Sequence, residues 1–475
     1  MSTKPNNNLS RLSIMMFLQF FAWGAWFATL ALAMGNNDLG ASIGGAYESA
    51  PIAAILSPLF LGLIADRLFA SEKVMGLLML IGGGIMCAIA VIAPQGADKG
   101  PLIVNLMIAY MLCYMPTLGL GNTITFTHLK QEQFPKARVW GTIGWIVAGL
   151  GLGVVGWSDS LNIFWLGAAS SIALGAYCFT LPSTPPPAKG KPIDIGSLLM
   201  VDALKLLKNP AFLVFAVCST LICIPLAYYY GQTSAFLGAA GFNEAGAAMT
   251  LGQMSEIVFM VLIPFFFRKL GVKMMLLIGM ACWVARYALF AFGAPDQIMW
   301  MLLLGVALHG ICYDFFFVTG FIYTDKKAPA EIRGQAQSLL VFLTQGIGMF
   351  FGFRMAFGGN WPFTDKALPN TYAEYGAAPA GHGPLMENIK ASSENTHTSF
   401  WDSLIGMFGQ GYADTVDSEL VTKAMTDWKQ YWLFPAGMAA VIFIIFAVFF
   451  WDKVDRDVDA EEVDEATSHD PENAL

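Results

Sequence analysis

Apolar residues run through this chain in blocks of roughly twenty, separated by short polar stretches. Twelve blocks are evident, at 12–34, 43–65, 74–93, 101–123, 139–157, 161–181, 210–231, 245–267, 272–292, 297–321, 334–355 and 430–451. About 20 apolar residues at 1.5 Å each make a helix long enough for the hydrocarbon core of a bilayer. Backbone groups in lipid must be satisfied within the segment, so blocks of this length predict helices rather than open strands. The first block begins near Leu12 and is long enough to span, so it is expected to be helix and not a cleaved leader. The pattern predicts an all-α polytopic membrane protein with twelve transmembrane helices.

The segment LPSTPPPAKGKPIDIG (181–196) divides the blocks six and six. The halves share weak similarity. IADRLFASEKVMGLLMLIG after the second block matches FFRKLGVKMMLLIG after the eighth, and the connections FPKARVWGT and APAEIRGQA carry basic residues at corresponding places. Two six-helix pseudo-repeats are the parallel repeat of secondary transporters, with the substrate site near the midplane between them. The expected organisation is an N-terminal bundle over 1–181, a cytoplasmic linker over 182–209, and a C-terminal bundle over 210–451 followed by an acidic cytoplasmic tail, 452–475. An outside insertion, 356–429, interrupts the second bundle. It is rich in Gly, Pro, Asn and acids, and its stretch SFWDSLIGMFGQGYADTV predicts a short interfacial helix. A surface excursion is favoured over an external lid or partner site.

Composition supports this class. The 475 residues are 56% hydrophobic and 13% charged, about half the charged share of a soluble domain. The net charge of −8 comes largely from the tail after Trp451. There is no basic patch, so nucleic-acid binding is excluded. All seven cysteines fall in apolar blocks without metal-type spacing and read as small buried residues. With the N-terminus inside, nineteen of the 26 basic residues fall on the cytoplasmic side. The positive-inside rule therefore gives N-in, C-in, in the cytoplasmic (inner) membrane.

Two acids stand inside apolar blocks: Glu256 in GAAMTLGQMSEIVFMVLIPFFF and Asp314 in LLLGVALHGICYDFFFVTGFIY. A carboxylate at the bilayer centre costs roughly 2.5–3.5 kcal/mol on insertion scales, so both point to a water-filled path or a partner, with Arg286 or Arg138 as candidate bases. Either acid is a candidate proton carrier. Gln253 lies one turn before Glu256 and shares its face. In the first block Gln19, Trp23 and Trp26 recur at helical spacing; Gln19 and Trp23 can offer an amide and a stacking face to a ring, while Trp26 reads as packing. Arg138, Thr142 and Trp145 share a face of the fifth block. His309 reads as packing, and Glu48 as a solvated helix end near the outer mouth. The glycines of GLGLGVVG (149–156) lie in an apolar block with no preceding strand, so they serve close helix packing and not phosphate binding. No cofactor is expected, and no nucleophile or metal constellation suggests an enzyme.

The loop GLIADRLFASEK (62–73), with Gly62, Asp66 and Arg67, resembles the conserved second-to-third helix loop of the major facilitator superfamily, although Phe69 replaces a usual glycine. FLQFFAWGAWFATL, GASIGGAYES, CYMPTLGLGNT, RVWGTIGW, GQMSE, PFFFRKLGVK and YDFFFVTG, in that order, resemble the nucleoside:proton symporter family of that superfamily. The resemblance implies proton-coupled nucleoside uptake by a monomer. It implies substrate contacts from Arg138, Thr142, Trp145, Gln253, Glu256, Tyr313 and Asp314. In the seventh block, CIPLAYYYGQ, Pro225 and Tyr228 stand where the family has amides. Tyr228 is then expected to stack on the substrate, and a sugar or glycoside becomes the alternative cargo. A non-transporting receptor or sensor on the same fold is a further alternative.

Overall fold

Each predicted block is helical over most of its described length in the computed structural model, which describes residues 8–60, 69–130, 133–186, 196, 199–358, 379–392 and 406–452. In chain order the helices are α1 Asn8–Gly24, α2 Leu30–Gly35, α3 Ile43–Phe60, α4 Ser71–Ile92, α5 Gly100–His128, α6 Phe134–Val154 and α7 Asn162–Cys178. They continue with α8 Pro210–Ala239, α9 Ala245–Gly293, α10 Met299–Lys327, α11 Arg333–Phe357, α12 His382–Ser392 and α13 Ser418–Phe449. Among the described residues, eight of these helices are long and apolar enough to cross a membrane.

Local chemistry sets the ends. Asn209 caps α8, its Oδ1 accepting from Ala211 N at 2.9 Å and from Phe212 N at 3.4 Å, with Pro210 preset for the first turn. Asp417 caps α13 by accepting from Glu419 N at 2.8 Å. The eighth and ninth blocks form one helical record, α9, broken at Gly271, whose φ of 69° and ψ of 170° suit glycine and strain other residues.

Packing runs mostly within each half. In the first, α1 lies along α6 and α7, α4 along α5 and α7, and α3 along α5. In the second, α8 packs on α11 and α13, and α9 on α10 and α13. The halves meet where α3 crosses α11, α6 crosses α9 and α2 touches α8. Gly149 and Gly153 permit the α6–α9 crossing: a Cβ on them would stand 2.6 Å from Thr250 Cγ2 and 3.0 Å from Ala247 Cβ. The glycine string therefore does serve helix contact. One contiguous apolar core joins both halves, from Leu12 to Phe450. The opposite faces expose large apolar residues to lipid, as in Val441, Ile444 and Val448 on α13.

Two expectations change. The first block is not one helix: a turn at Ala25–Thr29 separates α1 from α2. The last helix starts at Ser418, twelve residues before its block, because Val421, Met425 and Trp428 bury one stripe of an amphipathic segment that average hydropathy overlooks. Of the stretch expected to form an interfacial helix, 399–416, residues 399–405 lie outside the described residues. Gly406 is helical, and residues 407–416 are turns, bends and irregular chain with an antiparallel bridge, Phe242 to Gln410. Gly62, Asp66 and Arg67 lie outside the described residues, as do 187–195 of the linker and the tail from 453.

Candidate functional site

The site residues fall into two groups joined by one ring. On the first half, Gln19 is buried and its Nε2 donates to Thr117 Oγ1 at 3.1 Å, while its carbonyl accepts from Tyr114 OH at 2.7 Å. These bonds fix α1 against α5. Trp23 meets Tyr114 and Trp145 edge-on at 5.2 and 6.0 Å, and its indole N–H is buried without a hydrogen-bond partner among the described residues. Arg138 places its guanidinium 4.5 Å from the Phe20 ring centre, and Thr142 is buried one turn on. Gln19, Trp23, Arg138, Thr142 and Trp145 thus belong to one neighbourhood of α1, α5 and α6. Trp26 is fully buried against Phe27 and Tyr110, as its packing role requires.

The turn at Ala25–Thr29 sets the joining ring. Phe27 meets Trp23 at 5.4 Å, Trp145 at 6.2 Å and Tyr47 at 5.2 Å on its own half, and Tyr230 at 5.8 Å on the other. Tyr230 in turn faces His309: the rings lie 5.8 Å apart and Tyr230 OH is 3.4 Å from His309 Nε2. An aromatic path thus leads from the first group to α10.

On the second half, Glu256 turns inward. Along α9, Val258, Val261 and Phe265 are exposed to lipid, while Gln253 and Glu256 are buried on the other side. Ser255 clamps α9 to α10 at this level, its Oγ donating to Ala307 O at 2.6 Å and accepting from Gly310 N at 2.9 Å. Only glycine fits at 310, where a Cβ would stand 2.5 Å from Glu256 N. Asp314 follows Gly310 by one turn and is fully buried at the start of a π-helical turn, Asp314–Val318. Such turns recur at functional sites because the extra residue widens the helix. Tyr313 is buried beside His309, with rings 5.7 Å apart.

Tyr228 lies apart from this group. Its hydroxyl donates to Met355 O at 3.1 Å and its ring packs on Tyr431 and Phe434. Successive helix positions differ by about 100°, so Tyr229 and Tyr230 take the inward faces instead. Tyr229 stacks on His309 at 5.0 Å and 18°. The Arg286 guanidinium lies 4.0 Å from the Tyr229 ring centre. Arg286 is fully buried, and its three nitrogens lack a partner of hydrogen-bond geometry among the described residues. Phe27 is not distinguishable in the sequence from an ordinary packing aromatic, and Tyr229 and Tyr230 are legible there only as members of a Tyr228–Tyr230 cluster able to stack on a ring; an arginine inside an apolar block is the available signal for Arg286. Glu48 is not solvated. It is buried and ion-paired with Arg354, so that α3 and α11 are tied across the halves.

The family model described as "Nucleoside H+ symporter" matches residues 7–361. The chain is 37% identical over 468 residues to YegT of Escherichia coli (strain K12), a candidate nucleoside transporter, covering 96% of each chain. It is 30% identical over 361 residues to the xanthosine permease of the same strain, covering 72% of this chain and 85% of the permease. Among solved structures, an aspartate-to-alanine mutant of the nucleoside transporter NupG superposes with a TM-score of 0.73 at 27% identity, covering 94% of this chain and all of that one.

Proposed function

This chain belongs to the nucleoside H+ symporter family, and from that premise we propose how it carries out proton-coupled nucleoside uptake across the inner membrane. It is a multi-pass membrane protein of the major facilitator superfamily. In this reading 1–181 and 210–451 are the two moving bundles, with both termini cytoplasmic and the monomer sufficient. The end of the molecule bearing Glu48, Arg354 and Glu244 faces outward and is closed here by the α3–α11 and α6–α9 crossings.

The observation that carries the mechanism is the burial of two acids, Glu256 and Asp314, among groups suited to a planar polar ring. An acid held inside the membrane can take a proton up on one side and release it on the other, so a proton and a neutral substrate are well matched cargo. Gln253 offers both a donor and an acceptor to a base edge. Trp23, Trp145 and Tyr230 offer faces and edges for stacking. Arg138 and Thr142 suit hydroxyls, and Tyr313 closes the side next to His309. Loading from outside, closure of the outer crossings and release inside then follow alternating access. No bond of the substrate is made or broken in this cycle.

The cargo is tested in proteoliposomes with an imposed pH gradient, acid outside, using labelled uridine, adenosine, xanthosine and maltose. Accumulation of at least one nucleoside is expected, and it collapses with an uncoupler. Accumulation of maltose alone would transfer the reading to a sugar, the alternative that Pro225 and Tyr228 on α8 keep open. Accumulation of none would end the symport reading.

A further inference from the structure

A second acid cluster lies away from the buried pair, at the outward end of the α6–α9 crossing. Glu244 is the residue before α9, and its side chain does not cap that helix. It leans instead on the other half. A Cβ at Gly153 would stand 3.4 Å from Glu244 Cβ, and one at Gly156 would stand 3.8 Å from Glu244 Oε1. Ser158 and Asp159 of that half line the same pocket, of about 370 Å³, together with Asn36, Asn243 and Tyr412. Ser158 is 3% exposed and its Oγ is buried without a partner of hydrogen-bond geometry among the described residues.

Among the described residues that line the pocket, the charged groups are of one sign. From the loop before α7 comes Asp159, and among the described residues no lysine, arginine or histidine lines the pocket. Tyr412 commits its hydroxyl to Ala239 O at 2.7 Å. From α12, Met386 and Ile389 are apolar, and Lys390 reaches the Asn36 carbonyl at 3.2 Å. Closing the halves therefore moves the Glu244 carboxylate from water to a crevice with a like charge and, among the described residues that line it, no counter-ion.

We propose that Glu244 is a second proton-binding site, placed so that a proton taken from the outside medium favours closure of the outer end. The pKa of its carboxyl supports this: burial, and to a lesser degree the charge of Asp159, raise it from the usual 4.5 to about 7, the Ser158 hydroxyl offsetting part of the rise. When the halves part, water restores the ordinary value. Closure then takes up a proton between pH 4.5 and 7. It is fully favoured below that window and weakened as pH rises through it, by about 300-fold in the closed-to-open ratio if the whole shift is lost on opening.

The proposal rests on the symport reading for its orientation and use, but its test needs no substrate. Spin labels are attached through a keto amino acid at the exposed Val155 and Phe292, one on each half, leaving the native cysteines in place. The distance distribution is recorded in nanodiscs from pH 4 to 8.5. The expected result is a long-distance population that grows between pH 4.5 and 7, a growth abolished by Glu244→Gln. Asp159→Asn, which removes the like charge, is expected to move the upper edge of that window to lower pH. A pH response unchanged by Glu244→Gln, or no response with Glu244 present, overturns the proposal and leaves nucleoside uptake untouched. Failure of all cargo to accumulate, with the pH response intact, would instead overturn the symport reading.

Discussion

Tyr229 shows how one side chain serves the interior of the second half. Its ring is contacted by the Arg286 guanidinium and the His309 imidazole, whereas its hydroxyl is buried without a hydrogen-bond partner among the described residues. A desolvated cation–π contact is worth about 2 kcal/mol, while an unpartnered hydroxyl adds nothing by bonding. Tyr229→Leu is therefore expected to lower thermal stability in detergent clearly, by a loss on the order of 2 kcal/mol, and Tyr229→Phe to leave it within about 0.5 kcal/mol of the parent. Equal losses in the two variants would mean that the hydroxyl, not the ring, supports Arg286. The sequence identified Glu256 and Asp314 because a charge in an apolar block has few explanations. It could not rank Tyr228, Tyr229 and Tyr230, since one residue of rotation on α8 decides which ring faces His309 and which donates to Met355 O.

At the level of elements, block lengths located the helices well, because twenty apolar residues in a row have one stable form in lipid. What the blocks could not show were interruptions made of equally apolar residues. The turn at Ala25–Thr29 and the π-helical turns at Asp314–Val318 and Phe342–Gly348 leave hydropathy unchanged. They matter most for the site: the first positions Phe27 between the halves, and the second begins at Asp314. The same limit hid the first turns of α13, whose polar face masks its buried stripe. The glycine string of α6 was legible as packing, but not residue by residue. Gly149 faces Thr250 at 2.6 Å from its would-be Cβ, whereas Gly151 has nothing within 4 Å. Gly149→Ala is thus expected to hold the α6–α9 crossing apart and slow nucleoside uptake several-fold with folding intact, while Gly151→Ala leaves the rate unchanged. Initial uptake rates, normalised to protein inserted, check this; a Gly149→Ala rate equal to the parent would show that the crossing yields without cost.

For the whole molecule, contacts across the halves cluster at the end carrying Glu48–Arg354, the approach of Glu244 to Gly153, and Phe27–Tyr230. Buried acids lie beneath this closure on α9 and α10, with a second acid at its rim. This arrangement lets proton occupancy and closure depend on one another, which is what coupling requires: neither a ligand nor a proton shifts the equilibrium unless it prefers one state. The central claim is that nucleoside and proton cross together through the site at Glu256 and Asp314. The most direct measurement is the lumenal pH of proteoliposomes loaded with a fluorescent pH indicator, followed as a nucleoside is added outside with the membrane potential clamped at zero. The account predicts acidification of the lumen that depends on nucleoside and is lost in Glu256→Gln protein of normal thermal stability. Uptake of labelled nucleoside at an unchanged lumenal pH would contradict it.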